Sequence, residues 1–435
     1  MQYVLTDPTS GIAQRKSTSI HHRLMATSSS YKFQFAPRFR RNAFGWKSAT
    51  PIARIKEALV EIKAIAKKEP VLAAEGAVLF LEKLAPAIEQ VDSSSGGIGS
   101  AVNRAIETLV PIIAKADVSR AVREKWLDRL WDALQEDDMP YLEYLGEFWG
   151  DLCTTPEIAS KWADYLSPTL TTMWDHCART GEYGYFKGTS ACLSALYAAG
   201  RHEELLSLIA KSEYRHKSWH WRVFGAKALA KAGRWEDAVQ YAEDSKGLNA
   251  PLAAIAAFCE GVLLDSGFAD EAYARYAVEA TYATTNLATF KAIVKKYPSR
   301  PRETILRDLV VSQPGQEGKW FAAAKDVGLF ALAIELANRS PSDPRTLIRA
   351  ARDYARERPE FALAAGMTAL RGIAKGWGYE ITGVDVLDAY AAMMTAAGAV
   401  GVDESDVKAD VRALIAASHG GGEFIGRVLA RQLTD

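Results

Sequence analysis

The histidines and cysteines of this chain are the residues that could bind a metal or attack a substrate. His216 and His220 lie four residues apart, so on a helix both imidazoles could reach one zinc ion. The sequence offers no HExxH motif and no third ligand beside this pair. We therefore expect neither a metal site nor any other cofactor.

The signal for nucleophilic chemistry is weaker still. His176 and Cys177 are adjacent, but neighbouring residues on a helix point about 100° apart and cannot form a working pair. The chain has no GxSxG motif, no metal-spaced DxD, no kinase motifs and no dinucleotide fingerprint. Its cysteines are widely spaced, which is typical of reduced, buried thiols: Cys153, Cys177, Cys192 and Cys259. We predict that the protein is not an enzyme.

An enzymatic alternative concerns the aromatic-rich region 141–186. Aromatic side chains at helical spacing are typical of a packed core, and we expect these rings to join the N-terminal helices to the middle of the chain. The alternative is an enzyme of unknown class with a pocket in this region.

The N-terminal segment 1–50 is strongly basic, although the whole chain has 53 basic and 53 acidic residues. It holds eight lysines and arginines against a single aspartate, Asp7. Met25, followed by Ala-Thr-Ser-Ser-Ser, is a candidate start residue, which makes 1–24 a candidate disordered leader.

Between residues 31 and 47 aromatic and basic side chains alternate. Apolar residues in alternation, such as Phe33 and Phe35, favour an extended arm that docks on the first helices. The alternative is a nucleic-acid partner, with phosphates on the basic groups and bases on the rings. The basic residues for that alternative are Lys32, Arg38, Arg40, Arg41 and Lys47.

One short phrase recurs three times between residues 190 and 279. It reads Ala-Ala-Gly-Arg-His-Glu-Glu-Leu at 198–205, Lys-Ala-Gly-Arg-Trp-Glu-Asp-Ala at 231–238, and Asp-Ser-Gly-Phe-Ala-Asp-Glu-Ala at 265–272. Its glycines, Gly200, Gly233 and Gly267, are 33 and 34 residues apart. Such a period predicts stacked helix-turn-helix units. In each unit the glycine ends the first helix, and the acidic pair opens the second.

Residues 186–280 resemble the tetratricopeptide repeat family. The best copy, 221–251, carries the family's small, aromatic and proline positions at or within one residue of Ala226, Leu229, Gly233, Trp235, Ala238, Tyr241 and Pro251. Three residues depart from the pattern. Arg222 stands where the family has a large apolar residue, Glu260 takes a small-residue position, and Leu205 replaces alanine.

The resemblance implies a concave groove, lined by the first helix of each hairpin, that holds a protein or peptide. His220, Lys227 and Lys231 map to that groove in the best copy, and Arg215 and Lys217 lie beside it. Together they would suit an acidic peptide terminus or a phosphate. The plainer interpretation is a solvated charged helix end, with Trp219 or Trp221 in the core.

Helical periodicity begins at residue 51 and continues to the end, so the predicted fold is all-α. We expect an α-solenoid of antiparallel hairpins with a basic arm (1–50), an N-terminal helical region (51–185), tetratricopeptide-like repeats (186–297) and a C-terminal helical region (298–435). No apolar run is long enough to span a membrane, and the cytoplasm is the default location. The predicted function is protein binding or scaffolding without chemistry.

Overall fold

A computed structural model of the chain describes residues 3–4, 31–212 and 218–434. Both predicted features hold: the fold is all-α, and it is built from antiparallel helical hairpins in the manner of an α-solenoid. Within the described residues, the exception is one parallel pair of two-residue strands, β1 (Tyr3–Val4) and β2 (Gly184–Tyr185). Apart from β1, the candidate leader 1–24 lies outside the described residues.

The chain forms two compact units, Met1–Pro251 and Leu252–Asp435. The boundary falls inside the range 186–297 that holds the recurring phrase. The helices of the first unit are α1 (Ala49–Ala66), α2 (Pro70–Ile88), α3 (Gly97–Ala114), α4 (Arg120–Gln135), α5 (Trp149–Cys153), α6 (Pro156–Thr180), α7 (Thr189–Ala198), α8 (His202–Ser212), α9 (Trp219–Lys231) and α10 (Trp235–Glu243). A 3-10 turn spans Ala36–Arg38 and another spans Glu143–Phe148.

The second unit continues in the same style. Its helices are α11 (Leu252–Asp265), α12 (Ala269–Ala280), α13 (Asn286–Lys296), α14 (Arg302–Ser312), α15 (Phe321–Val327), α16 (Phe330–Arg339), α17 (Pro344–Tyr354), α18 (Pro359–Ala374), α19 (Gly383–Val400), α20 (Glu404–Ala417) and α21 (Gly421–Val428). A 3-10 turn at Glu317–Trp320 precedes α15. None of the described helices is long and apolar enough to cross a bilayer.

The recurring phrase forms the turns of three helical hairpins, as its period predicts. Gly200, Gly233 and Gly267 have φ values of 75°, 75° and 86° and join α7 to α8, α9 to α10 and α11 to α12. Because a side chain disfavours this left-handed conformation, glycine is the residue that suits each turn. The acidic pairs occupy the first turns of α8, α10 and α12, where carboxylates face the positive end of the helix dipole.

The segment 31–47 is an arm packed on α1 and α2. Phe33, Phe35, Phe39 and Phe44 are buried, and the rings of Phe35 and Phe39 meet that of Phe80 on α2 with centroids 5.4 and 5.0 Å apart. At Gly76 the ring of Phe33 occupies the space that a Cβ would take. Glu61 on α1 accepts hydrogen bonds from the Tyr31 hydroxyl and from the backbone N–H groups of Gln34 and Phe35, at 3.0, 2.8 and 3.2 Å.

Two of the residues that depart from the tetratricopeptide pattern are buried polar side chains that form hydrogen bonds with distant residues of the same unit. Arg222 on α9 donates through Nε to Ser245 Oγ at 2.8 Å and through Nη2 to the Tyr241 carbonyl at 2.7 Å. Its guanidinium carbon lies 3.5 Å from the centroid of the Tyr241 ring. Arg222 is 2% exposed. It therefore fastens α9 to the end of α10, the second helix of the same hairpin.

Glu260 forms comparable buried hydrogen bonds in the second unit. Its side chain on α11 is 2% exposed and accepts hydrogen bonds from Lys296 Nζ and from the Tyr297 hydroxyl, both at 2.6 Å. Lys296 also donates to the hydroxyl of Thr281 at 3.1 Å. A charge can be buried in this way because each of the two carboxylate oxygens accepts a hydrogen bond, one of them from a cation. The third departure, Leu205, is apolar and completely buried on α8.

Candidate functional site

Three of the sequence-predicted site residues lie on one side of α9. His220, Lys227 and Lys231 are spaced by seven and four residues, which places them within about 20° of one direction around the helix axis. All three side chains are exposed, whereas Trp219 at the start of the helix is buried. We call these three residues the α9 face. Arg215 and Lys217, which complete the predicted set, lie outside the described residues.

The two lysines of the α9 face are available to an external anion. Lys231 Nζ lies 5.4 Å from the centroid of the Tyr197 ring on α7, and Lys227 Nζ lies 5.6 Å from the Phe224 ring. Among the described residues, neither ammonium group has an acidic partner within 4.0 Å. A carboxylate or phosphate bound here would not have to displace an ion pair formed within the described residues.

The histidine of the α9 face has an internal acidic neighbour. His220 Nδ1 lies 3.6 Å from Glu147 Oε1, and Glu147 belongs to the 3-10 turn Glu143–Phe148. The close contact with Glu147 raises the pKa of His220, and the charge of Glu143 adds to the effect. The α9 face is therefore basic along its lysines and charge-compensated at its histidine end.

The raised pKa of His220 predicts a measurable titration. Its ionic contact with Glu147 contributes to stability fully below the ordinary histidine pKa of 6.5 and is lost as pH rises through the raised value. NMR of the imidazole should give a midpoint above 6.5, and Glu147→Gln should move it back toward 6.5. An unchanged midpoint in Glu147→Gln would contradict the assignment. Because the His220 side chain is 73% exposed, we expect an effect on unfolding below about 1 kcal/mol.

The basic residues of the arm are all on the surface: Lys32, Arg38, Arg40, Arg41 and Lys47. Arg38 shares the carboxylate of Glu57 with Arg54, each at 2.7 Å. The four phenylalanines of the arm are buried, so they are not available for stacking on bases, whereas Tyr31 and Trp46 are 40% and 71% exposed. For the nucleic-acid alternative, the arm therefore offers its positive charge and two of its six aromatic rings.

A wide groove of about 720 Å³ runs between the arm and α1. Most of its charged lining is internally paired, because Arg38 and Arg54 pair with Glu57 and Glu61 accepts hydrogen bonds from the arm backbone, whereas Lys56 has no ion-pair partner among the described residues. The apolar part of the lining includes Val60, whose side chain is 68% exposed. Nothing in this lining selects a particular ligand.

The cysteines and histidines do not assemble into a reactive site in the part of the chain that the structure describes. Burial raises the pKa of both Cys153 and Cys192 to about 12, so these thiols stay protonated near neutral pH. His176 pairs with Glu182 at 3.1 Å on the surface, and Cys177 is buried. No group of three or more His, Cys, Asp or Glu side chains in the described residues could hold a metal ion.

The enzymatic alternative required a pocket in the aromatic-rich region 141–186, and one pocket of about 280 Å³ uses Trp162 and Tyr165 of that region; it lies between α4 and α6, and the part contributed by α4 was not predicted. Three aromatic rings and three carboxylates line it, together with one lysine: Trp131, Trp162, Tyr165, Glu124, Asp128, Asp132 and Lys161. The aromatic pattern of 141–186 predicted a core, and Trp162 is indeed 8% exposed; Trp131 of α4 is 9% exposed. The available signal was the acidic spacing on α4, where Glu124, Asp128 and Asp132 follow one another every four residues.

No protein-family model and no curated protein matches this chain. Among solved structures, one described as "Circular tandem repeat protein with novel repeat topology and enhanced subunit contact surfaces" is similar at 12% identity, over 87% of this chain and 81% of its own, with a TM-score of 0.15. A likeness at that TM-score is too loose to bear on the fold or function of this chain.

Proposed function

We propose that this protein is a non-enzymatic binding or scaffold protein that holds an acidic segment of a protein partner on the α9 face. The observation that carries the proposal is the pair Lys227 and Lys231, exposed on one side of α9 without an acidic partner among the described residues. Lysine ammonium groups in such a setting attract carboxylates and phosphates and steer acidic partners toward the surface.

The tetratricopeptide-like hairpins support the same proposal. In that family the first helix of each hairpin contributes to the binding groove, and α9 is the first helix of the best-matching copy. Stacked helical hairpins present an extended surface suited to a peptide or a protein segment.

Charge reversal on the α9 face tests the proposal. The tagged full-length protein would be used to capture partners from its native host, with and without nuclease. We expect a partner that resists nuclease and whose affinity falls at least about tenfold with Lys227→Glu and Lys231→Glu together, since each lost charge contact is worth about 1 kcal/mol or more.

The matched control reverses two lysines that lie away from the α9 face. Lys67 and Lys68 are exposed at the end of α1, so Lys67→Glu with Lys68→Glu makes the same change in net charge. Affinity is expected to stay within about twofold in this control. Equal losses in both double variants would show that net charge alone governs binding, and the proposal would be wrong.

A nucleic-acid partner is the second candidate. It is favoured by Trp46, which is 71% exposed and lies next to the exposed Lys47. Binding of this kind would disappear with nuclease, fall steeply with salt and survive charge reversal on the α9 face.

A further inference from the structure

We propose that the pocket between α4 and α6 binds an organic ammonium cation. The proposal concerns a different part of the first unit from the α9 face and does not depend on it. Aromatic faces attract a cation that approaches within about 6 Å of the ring centroid, and adjacent carboxylates add a direct electrostatic contribution. The pocket supplies both.

The three aromatic rings line the pocket, and the Tyr165 ring is nearly perpendicular to both tryptophan rings. The Tyr165 ring meets Trp131 at 84° and Trp162 at 89°, with centroids 6.1 and 5.8 Å apart, while the two tryptophan rings lie 5.7 Å apart. Trp149, which is completely buried, packs against both tryptophans at 5.9 and 5.0 Å. Tyr165 is 51% exposed, so its ring is accessible from solvent. The walls are thus fixed by packing before any ligand arrives.

The carboxylates of the pocket are only partly neutralised. Glu124 contacts both Arg120 and Lys161 at 3.2 Å. Asp128 and Asp132 have no ion-pair partner within 4.0 Å among the described residues. Counting Glu124, Asp128 and Asp132 against Lys161, the lining carries three negative charges and one positive charge.

This arrangement costs the protein stability in the absence of a cation. Like charges four residues apart on a helix repel one another, and Asp128 and Asp132 have that spacing on α4. Burial raises the pKa of both carboxyls, and neighbouring carboxylates raise that of Asp132 further. A bound cation would relieve this repulsion.

The protein's own lysine does not fill the site. The Lys161 ammonium is held by Glu124 at the rim, and its side chain is 64% exposed. Within the described ranges, no lysine or arginine lies over the ring of Trp131, Trp162 or Tyr165. The exposed ring of Tyr165 and the parts of Trp131 and Trp162 that line the pocket are therefore not covered by an internal cation, and they can meet an external ammonium group, either a quaternary one or that of a lysine side chain.

Calorimetric titration of the full-length chain tests the proposal with three probes. Choline carries the cation, 3,3-dimethylbutan-1-ol is its neutral counterpart of the same shape, and n-butylammonium represents a lysine side chain. We expect one or both cations to bind at least about tenfold more tightly than the alcohol. Preference for choline would identify a quaternary ammonium ligand, and preference for n-butylammonium would identify a lysine side chain.

Substitutions in the pocket test whether its carboxylates and its exposed ring bind the cation. Asp128→Asn with Asp132→Asn should weaken cation binding at least about tenfold, and Tyr165→Leu should weaken it about threefold or more. The Asn double variant should fold with an equal or higher Tm, because it removes like-charge repulsion. Asp388→Asn with Asp410→Asn, two exposed aspartates of the second unit, makes the same charge change and should leave binding unaltered. Equal affinity for choline and the alcohol, no binding of either cation, or equal losses in the two Asn double variants would overturn the proposal.

Discussion

Replacing Glu260 with alanine is expected to lower the free energy of unfolding by about 3–5 kcal/mol, the usual cost of removing one partner of a buried ion pair. The change leaves the Lys296 ammonium without its carboxylate in a position where its side chain is 33% exposed. It also removes the acceptor of the Tyr297 hydroxyl, whose side chain is 3% exposed. Chemical denaturation of the full chain would measure the loss, and hydrogen exchange in α11 and α13 would locate it.

Two further variants separate the causes of the Glu260 effect. Glu260→Gln keeps the size of the side chain and an oxygen acceptor for Tyr297, so it should cost roughly half as much as alanine. Glu271→Ala removes an exposed carboxylate of α12 that pairs with Arg275 at 2.6 Å, and surface pairs of this kind contribute under about 1 kcal/mol. If Glu260→Ala lowered the free energy of unfolding no more than Glu271→Ala does, the buried hydrogen bonds of Glu260 would not have the stabilising role assigned to them.

Replacing Arg222 with alanine is expected to cost about 2–4 kcal/mol, from two lost charged hydrogen bonds, a lost contact with the Tyr241 ring and a cavity. The bonds to Ser245 and to the Tyr241 carbonyl close the α9–α10 hairpin at the end away from Gly233. We expect the loss to appear as a lower midpoint in denaturation and as faster hydrogen exchange at the end of α10.

A leucine at the same position distinguishes packing from polar bonding. Arg222→Leu restores the large apolar residue of the tetratricopeptide pattern, and well-packed apolar replacements of buried charges are often close to neutral. We therefore expect Leu to cost clearly less than Ala. Arg234→Ala on the same hairpin, which breaks an exposed pair with Asp237 at 2.7 Å, is the surface control. Equal stabilities of the Ala variants at 222 and 234 would contradict the role assigned to Arg222.

The hairpins could be predicted from the sequence because their determinants are local. A glycine, an acidic pair and a small or apolar residue recur within eight positions, and a period of 33 to 34 residues repeats them. Turn geometry follows from backbone sterics at a single residue, so Gly200, Gly233 and Gly267 could be placed without knowing any tertiary contact.

The hydrogen bonds of Arg222 and Glu260, and the pairing of α4 with α6 that forms the pocket, could not be predicted in the same way. Glu260 binds residues 36 and 37 positions further along the chain, and Arg222 binds Ser245, 23 positions on. The α4–α6 pocket joins Trp131 to Trp162 and Tyr165 across an intervening helix. These long-range contacts depend on how whole helices pack. In the sequence, Arg222 and Glu260 were therefore visible only as departures from the tetratricopeptide pattern.

The docked arm has a consequence for how the protein is made. Phe39 packs against Phe80, which is added 41 residues later in synthesis. At about 5–20 residues per second, the ribosome adds Phe80 roughly 2–8 seconds after Phe39. During that interval the four phenylalanines of the arm lack the part of α2 on which they pack. A nascent chain of this protein therefore presents a basic, phenylalanine-rich segment, which is the kind of sequence that chaperones at the ribosome would shield and that premature termination would leave exposed.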